Sequence, residues 1–322
     1  MSAPPGGRWR RGVGIAVAVL LTAGVLALAG PSRVAELLAR SDPKGVLLAA
    51  VAAGGALVCR GLRLTVLVGS GLPAARAVAL ATAAQSAAVF VPARIGELAM
   101  PWLLRRHQNL DMAAGVGVLV VSRALDVAAL GVWAAGGIVA VWGTSNPLAL
   151  AVAFALVAPL LLLPFAAATV ERLAVRLLAR RLAGRRWAHR VRRLRRSLGD
   201  LRRSPGRLLT AATVSLATWA MLWVKTWLLL VAMGYRWPFA DVLVGAAVAS
   251  LTNAVPLHVV GNLGASETGW TAAFVALGVP LAAAAATGLA VHLWSLLYSA
   301  VFGAVAWLAL PGSPATLPDH RE

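Results

Sequence analysis

The amino-acid sequence predicts an all-α, polytopic membrane protein. Of its 322 residues, 60% are hydrophobic and 13% are charged, whereas a soluble domain is about 25% charged. The mean hydropathy is +0.81, and several uncharged runs are long enough to cross a bilayer as helices. We expect about six full spans plus two re-entrant helical hairpins, which together make eight or nine hydrophobic segments.

The chain divides into two membrane halves joined by a basic segment. We expect an N-terminal segment (1–11), a first membrane half (12–170), an arginine-rich loop (171–207), a second membrane half (208–310) and a disordered tail (311–322). The loop contains 14 arginines and two acidic residues. The positive-inside rule therefore predicts that this loop and the N-terminus, which also carries arginines, are cytoplasmic.

The expected spans are the apolar runs between the charged and turn-forming segments. A first, uncleaved helix is followed by a short outer loop at 31–44. Full spans are expected at 12–30, about 45–70, about 112–140, 147–168, 208–233 and about 282–309. Each of these runs approaches or exceeds the ~20 residues that a spanning helix needs.

Two further apolar segments are interrupted at their centres. Residues 73–109 are broken at Pro92 and Gly96, and residues 240–280 are broken at Pro256 and at two glycines. Irregular backbone at membrane depth is tolerated where protein buries it or where it lines a wet cavity. We therefore expect each segment to enter and leave the membrane on the same side.

The two interrupted segments resemble one another. Ser86 precedes Pro92 by six residues, and Ser250 likewise precedes Pro256 by six. The offset from Ser86 to Ser250, and from Pro92 to Pro256, is 164 residues. Each proline is followed by glycine and then glutamate. With the basic loop inside, one hairpin would enter from the cytoplasm and the other from outside, which predicts an inverted repeat of the kind found in transporters.

Charged residues inside the apolar segments are the strongest candidates for a site. Arg94 and Glu97, and likewise Arg123 and Asp126, are spaced i, i+3 and would share a helix face. Charges at bilayer depth are costly and usually face inward. Guanidinium groups suit phosphate, and half-helix N-termini attract anions. An alternative interpretation is that these are buried ion pairs that only fix helix packing.

Other polar residues are secondary candidates. Glu267, after Gly264, has no basic residue near it in the sequence, so an ion pair explains it least well. Arg60 and Arg63 could bind a ligand or snorkel to the interface. The remaining lining candidates are Asn253, Asn262, Ser266 and His292. We expect no metal or cofactor site, because the single cysteine and the isolated histidines lack ligand spacing, and we recognise no catalytic motif.

Three stretches in order carry a family resemblance: PARIGELAMPWLL, SRALDVAAL and VPLHVVGNLGASETGWTAAFVALGV. Their P-x-R-x-G-E, R-x-x-D and G-x-x-E elements resemble the membrane region of the bacterial lysylphosphatidylglycerol synthase/flippase family, over about 12–310. The resemblance implies a multi-pass protein of the bacterial cytoplasmic membrane. By motif it assigns the site to Arg94, Gly96, Glu97, Arg123, Asp126, Gly264 and Glu267.

The resemblance implies lipid translocation rather than synthesis. In the two-part relatives a separate soluble domain transfers the aminoacyl group, and none is recognised in these 322 residues. Relatives often carry arginine near the position of His292, and a neutral histidine there would weaken anion binding. Because no ATP-binding loop is recognised, transport would be passive or ion-coupled.

The leading hypothesis is a flippase-like transporter of a phosphate-bearing lipid. One alternative is a non-transporting membrane partner of lipid or cell-envelope polysaccharide biosynthesis. Another is a membrane-embedded glycosyl- or acyl-transferase. The expected partners are anionic or phosphate-bearing membrane lipids and lipid-biosynthesis enzymes. Nucleic acid is not expected, since the basic loop has no fold or aromatic interleaving for it.

Overall fold

The computed structural model describes residues 23–69, 71–91, 95–157, 204–252 and 264–310. All regular structure in these ranges is helical, and the expectation of an all-α chain with several apolar helices is confirmed there. The expected start of the first span, the basic loop up to residue 203 and the tail lie outside the described residues. So do Arg94, Asn253 and Asn262.

After a helical stretch at 23–29, the elements follow in order. They are α1 (Pro31–Ala39), α2 (Pro43–Val68), α3 (Ala74–Phe90), a 3₁₀ segment (Ile95–Leu98), α4 (Ala99–Gln108), α5 (Met112–Trp142), α6 (Pro147–Val157), α7 (Pro205–Ala232), α8 (Phe239–Thr252), α9 (Ala265–Ala276) and α10 (Leu281–Ala309). Within the described ranges, α2, α5, α7 and α10 are long and apolar enough to cross a membrane.

The helix ends differ from expectation at two places. The segment 31–44, expected to be a loop, contains α1, which has a proline at its first position, where the missing N–H costs nothing. Helix α7 begins at Pro205 rather than 208, so Arg207 belongs to the helix rather than to the basic loop.

Helices α2 and α7 pack antiparallel along most of their length. The Asp42 N–H, before α2, donates to the carbonyl of Ala232 at the end of α7 (2.9 Å). At the opposite end, the Arg207 guanidinium donates to the carbonyl of Val66 (2.8 Å). These contacts define two ends of the bundle, here called the Ala232 end and the Arg207 end.

Helices α3 and α4 form an antiparallel hairpin that opens at the Arg207 end. Gly96 lies so close to α3 that an added Cβ would be 2.0 Å from the carbonyl oxygen of Ala87. At the base of the hairpin, burial and then the positive charges of Arg76 and Arg106 lower the pKa of His107. The start of α3 and the end of α4 therefore lie together.

Helices α8 and α9 form a second antiparallel hairpin that opens at the Ala232 end. Gly245 packs on the ring of Phe274, and Gly269 packs on Thr252. At the base, the rings of Trp237 and Phe274 have centroids 4.6 Å apart. The two hairpins thus point into the bundle from opposite ends.

Each hairpin packs against the last long helix of the other half. A Cβ at Gly137 of α5 would lie 2.9 Å from the Leu243 Cβ of α8. Likewise, a Cβ at Gly303 of α10 would lie 2.4 Å from the Ser86 Cβ of α3. The contact between Gly303 and Ser86 holds the first hairpin in place, and with it the polar residues described next.

Candidate functional site

A polar cavity lies between α2, α3, the 3₁₀ segment and α5. Its polar lining residues are Arg60, Arg63, Gln85, Glu97, Ser122, Arg123 and Asp126. The cavity volume is about 40 Å³. Since one water needs roughly 10–15 Å³ of such space, the cavity in this conformation has room for a few waters and would have to widen for a larger group.

The inner wall of the cavity is a buried ion pair. Arg63 of α2 contacts both carboxylate oxygens of Asp126 of α5, at 2.5 and 3.3 Å. The same guanidinium donates to the Ser215 hydroxyl of α7 (2.9 Å). The side chains of Arg63 and Asp126 are 6% and 8% exposed, so their geometry joins three long helices away from solvent.

The outer wall is a looser pair. Arg123 Nε lies 3.4 Å from a carboxylate oxygen of Glu97, with the two side chains 41% and 26% exposed. A second contact joins Arg123 to Asp126 at 3.8 Å. Arg123 Nε makes no hydrogen bond, so this guanidinium keeps donor capacity toward the cavity.

Arg60 supplies a cation without a carboxylate of its own. Its guanidinium donates to the side-chain oxygen of Gln85 on α3, a neutral acceptor. Among the described residues that line the cavity, three arginines therefore face two carboxylates. The site has one excess positive charge between long apolar helices, where unpaired charge is expensive, which favours an anionic ligand.

Comparison with protein families gives a match to the model described as the lysylphosphatidylglycerol synthase TM region, over residues 13–303. The chain belongs to this family. A search of curated proteins finds no match. The family describes a membrane region, in agreement with the long apolar helices, and the chain is a multi-pass helical membrane protein.

The cavity brings together five of the residues singled out from the sequence: Arg60, Arg63, Glu97, Arg123 and Asp126. Their partners differ from those that the i, i+3 spacing predicts. The closest ionic partner of Asp126 is Arg63 rather than Arg123, and Arg123 lies closer to Glu97 than to Asp126. For Arg63, the alternative that its side chain snorkels to the membrane interface is wrong, because the side chain is buried.

Gln85 and Ser215 contribute contacts that the sequence reasoning missed. Gln85 is the one amide in the apolar helix α3, which is a signal that could have identified it. Ser215 is one of several hydroxyl residues on α7, and nothing in its local pattern marks it. It is recognised only from its bond to Arg63.

The remaining family residues lie in the second hairpin. Gly264 has φ 97°, a conformation that favours glycine, and its N–H donates to Glu267 Oε2 (2.7 Å). Glu267 thereby caps α9, and its other oxygen contacts His292 Nδ1 of α10. Glu267 has no basic residue near it in the sequence, but the fold brings His292 to it. Ser266, next to it, is half-buried.

Polar residues occupy matching positions in α2 and α7 and in the two hairpins. Arg63 follows the first residue of α2 by 20 positions, as Lys225 follows that of α7. Glu97 is the third residue of the 3₁₀ segment, and Glu267 is the third residue of α9. Each glutamate thus begins the returning arm of its hairpin.

The same correspondence holds in α5 and α10. Arg123 and Asp126 follow the first residue of α5 by 11 and 14 positions. His292 and Ser295 follow the first residue of α10 by 11 and 14 positions. The second half therefore carries a set of four polar residues arranged as in the first half, with weaker charges.

Proposed function

We propose that this chain is a lipid flippase whose cavity between α2, α3 and α5 binds the phosphate of a lipid head group. The observation that carries the proposal is the excess of one guanidinium over the carboxylates in that cavity, with Arg60 facing a neutral amide. A phosphate monoester or diester supplies the missing negative charge, and guanidinium groups bind it through two parallel hydrogen bonds.

Arg60 and Arg123 are the residues that would hold the phosphate. The contact between Arg123 and Glu97 is long and partly exposed, so a phosphate can replace this carboxylate at modest cost. Arg63 and Asp126 would keep their short contact and position the site without binding lipid. Arg94 would join the site on the strength of the family motif.

We further propose that both hairpins are re-entrant and that the two halves form an inverted repeat. Support comes from the hairpins opening at opposite ends and from the polar residues at matching positions in both halves. The Arg207 end would face the cytoplasm of a bacterium, because the basic segment precedes it. Broken helices that meet inside the membrane are the transporter plan in which each hairpin tip faces a central site.

The test is transbilayer movement of labelled lipids in proteoliposomes. The lipids are phosphatidylglycerol, lysylphosphatidylglycerol and a polyprenyl phosphate, with a labelled glucosylceramide as the lipid without phosphate. We expect wild-type protein to move at least one phosphate lipid and not the glucosylceramide. Arg60→Gln should reduce the rate at least about tenfold, because a lost charge-assisted contact is worth roughly 1.5–3 kcal/mol.

Arg40→Gln is the matched control, because it makes the same change at a surface position: the Arg40 side chain is 80% exposed and pairs with Glu36 on α1. It should keep the wild-type rate. Movement that Arg60→Gln does not affect would place the lipid elsewhere. No movement of any lipid by folded protein would favour the partner alternative, and turnover of a donor lipid in detergent would favour a transferase.

A further inference from the structure

We infer that Glu267 and His292 form a proton-binding site through which the lipid movement proposed above is coupled to a proton gradient. The inference rests on that proposed function and concerns the second half of the molecule. The proposed function assigns head-group binding to the first half. The corresponding side chains of the second half carry less positive charge and suit a different ligand. The proton is the one that its side chains can take up.

The contacts in the two halves correspond pair by pair. Glu97 contacts Arg123 in the first half, and Glu267 contacts His292 in the second. Arg63 bonds Asp126 in the first half, and Lys225 bonds the Ser295 hydroxyl in the second (2.7 Å). A permanently charged arginine is thus matched by histidine, whose charge changes between about pH 5 and 8 when unperturbed.

The carboxylate of Glu267 is held in a fixed orientation. Its side chain is 1% exposed, and Oε2 accepts the Gly264 N–H at 2.7 Å, so Oε1 faces the imidazole. A carboxylate oxygen and a bare ring nitrogen are both acceptors. The contact therefore requires one proton between Oε1 and Nδ1.

A second proton would add at Nε2 of His292 and convert the ring to imidazolium. The His292 side chain is 13% exposed, so the histidine is the member of the pair that protons reach from outside. Nδ1 already lies against the carboxylate, so the added proton needs no change of partner there. The pair then passes from net charge −1 to zero.

The charged surroundings of the pair are sparse. Among the described helices packed on α10, α9 contributes Glu267 itself, and α7 contributes Lys225, bonded to Ser295 one turn along. The structure shows no ionic contact to His292 from α1, α2 or α3, or from α8 behind α9, in the parts that it describes. Protonation of His292 therefore changes the charge of this set from zero to +1. The cavity of the first half, with Arg60 included, also carries a charge of +1 without lipid.

This matching of charge provides the coupling. If the hairpins exchange exposure between the two sides, protonation makes the free energies of the two arrangements depend on the pH at each side. The excess charge in the cavity of the first half is neutralised by lipid phosphate, and the excess in the second set is lost by proton release. Proton uptake and lipid binding are then linked, and each affects the other.

The proton site is tested first by NMR of detergent-solubilised protein labelled at histidine. His292→Gln identifies the His292 signal by its loss. We expect that signal in wild-type protein to show the uptake of one proton as the pH is lowered. In Glu267→Gln the Nδ1 signal should shift, because an amide replaces the carboxylate that faces Nδ1, while glutamine still fits the cap.

Coupling is tested in proteoliposomes by comparing rates of lipid movement with and without an imposed pH gradient. For wild-type protein the two rates should differ severalfold. For His292→Arg, whose charge is permanent, their ratio should fall to one. His107→Gln, at the base of the first hairpin, should keep the wild-type ratio.

The outcomes separate the two proposals. The inference is overturned if the pH gradient does not change the rate of lipid movement by wild-type protein. It is also overturned if the His292 signal shows no proton uptake. Neither result contradicts the flippase proposal. Absence of lipid movement under every condition overturns the flippase proposal and the coupling together. In that case the NMR titration still decides whether the pair binds a proton.

Discussion

At the scale of single residues, the buried contact between Arg63 and Asp126 makes the protein sensitive to the loss of either partner. Its two members are almost fully buried, and Arg63 also donates to the Ser215 hydroxyl. We expect Asp126→Asn to lower the free energy of unfolding by about 3–5 kcal/mol, because it leaves Arg63 buried without a counter-charge. Thermal unfolding in detergent measures the loss.

A double variant, Arg63→Met with Asp126→Leu, is the control for that prediction. It removes both charges and keeps similar volumes, so it should recover most of the lost stability. If Asp126→Asn unfolds at the wild-type temperature, the pair is not buried in the protein as the structure shows. If the double variant is as unstable as the single one, packing rather than charge is responsible.

The sequence predicted which residues carry charge at depth but not how they pair. The i, i+3 spacing predicts a contact between Arg123 and Asp126, which exists at 3.8 Å. The shorter contact of Asp126 is with Arg63, 63 residues earlier. Periodicity determines neighbours on one helix, whereas this contact depends on how α2 packs against α5. Local patterns contain no information about that packing.

At the scale of helices, glycines determine how closely the two halves approach. Gly137 of α5 faces α8, and a Cβ there would lie 2.9 Å from the Leu243 Cβ. We expect Gly137→Ala to lower the free energy of unfolding by about 1–3 kcal/mol, because the helices must separate. Its neighbour Gly136 is exposed, with no atom within 4 Å of an added Cβ.

Gly136→Ala is therefore the matched control for Gly137→Ala. The two substitutions add the same methyl group to the same helix, one residue apart, and differ only in what the methyl group meets. Thermal unfolding should show a loss for Gly137→Ala and no loss for Gly136→Ala. Equal effects would show that helix propensity, rather than the contact with α8, determines the result.

The long helices were the most predictable elements. Long apolar runs predicted α2, α5, α7 and α10 within a few residues of the ends observed, because length and hydropathy suffice to identify a spanning helix. Helix α1 was missed because its mixed charges, including Arg33 and Glu36, are typical of a loop. Its nine residues are too short to show a clear period against that background.

At the scale of the whole molecule, the proposed re-entrant hairpins predict which loops share a side of the membrane. Exposed positions flank each hairpin: Ala75 and Asn109 for the first, Arg236 and Ala276 for the second. In a Cys59→Ala background, we expect single cysteines at 75 and 109 to react with an impermeant maleimide from one side. Cysteines at 236 and 276 should react only from the other side, because the hairpins open at opposite ends.

The control for this labelling is Ser145→Cys, an exposed position after α5. Since α5 crosses the bundle from the Arg207 end to the Ala232 end, this cysteine should label with 236 and 276. Labelling of 75 and 109 from opposite sides would make α3 and α4 a crossing rather than a hairpin. The cavity would then lack the inward-facing tip that presents Glu97 to Arg123. If instead all four positions label from one side, the two halves have the same orientation, and the inverted repeat is excluded even though the matching polar positions remain.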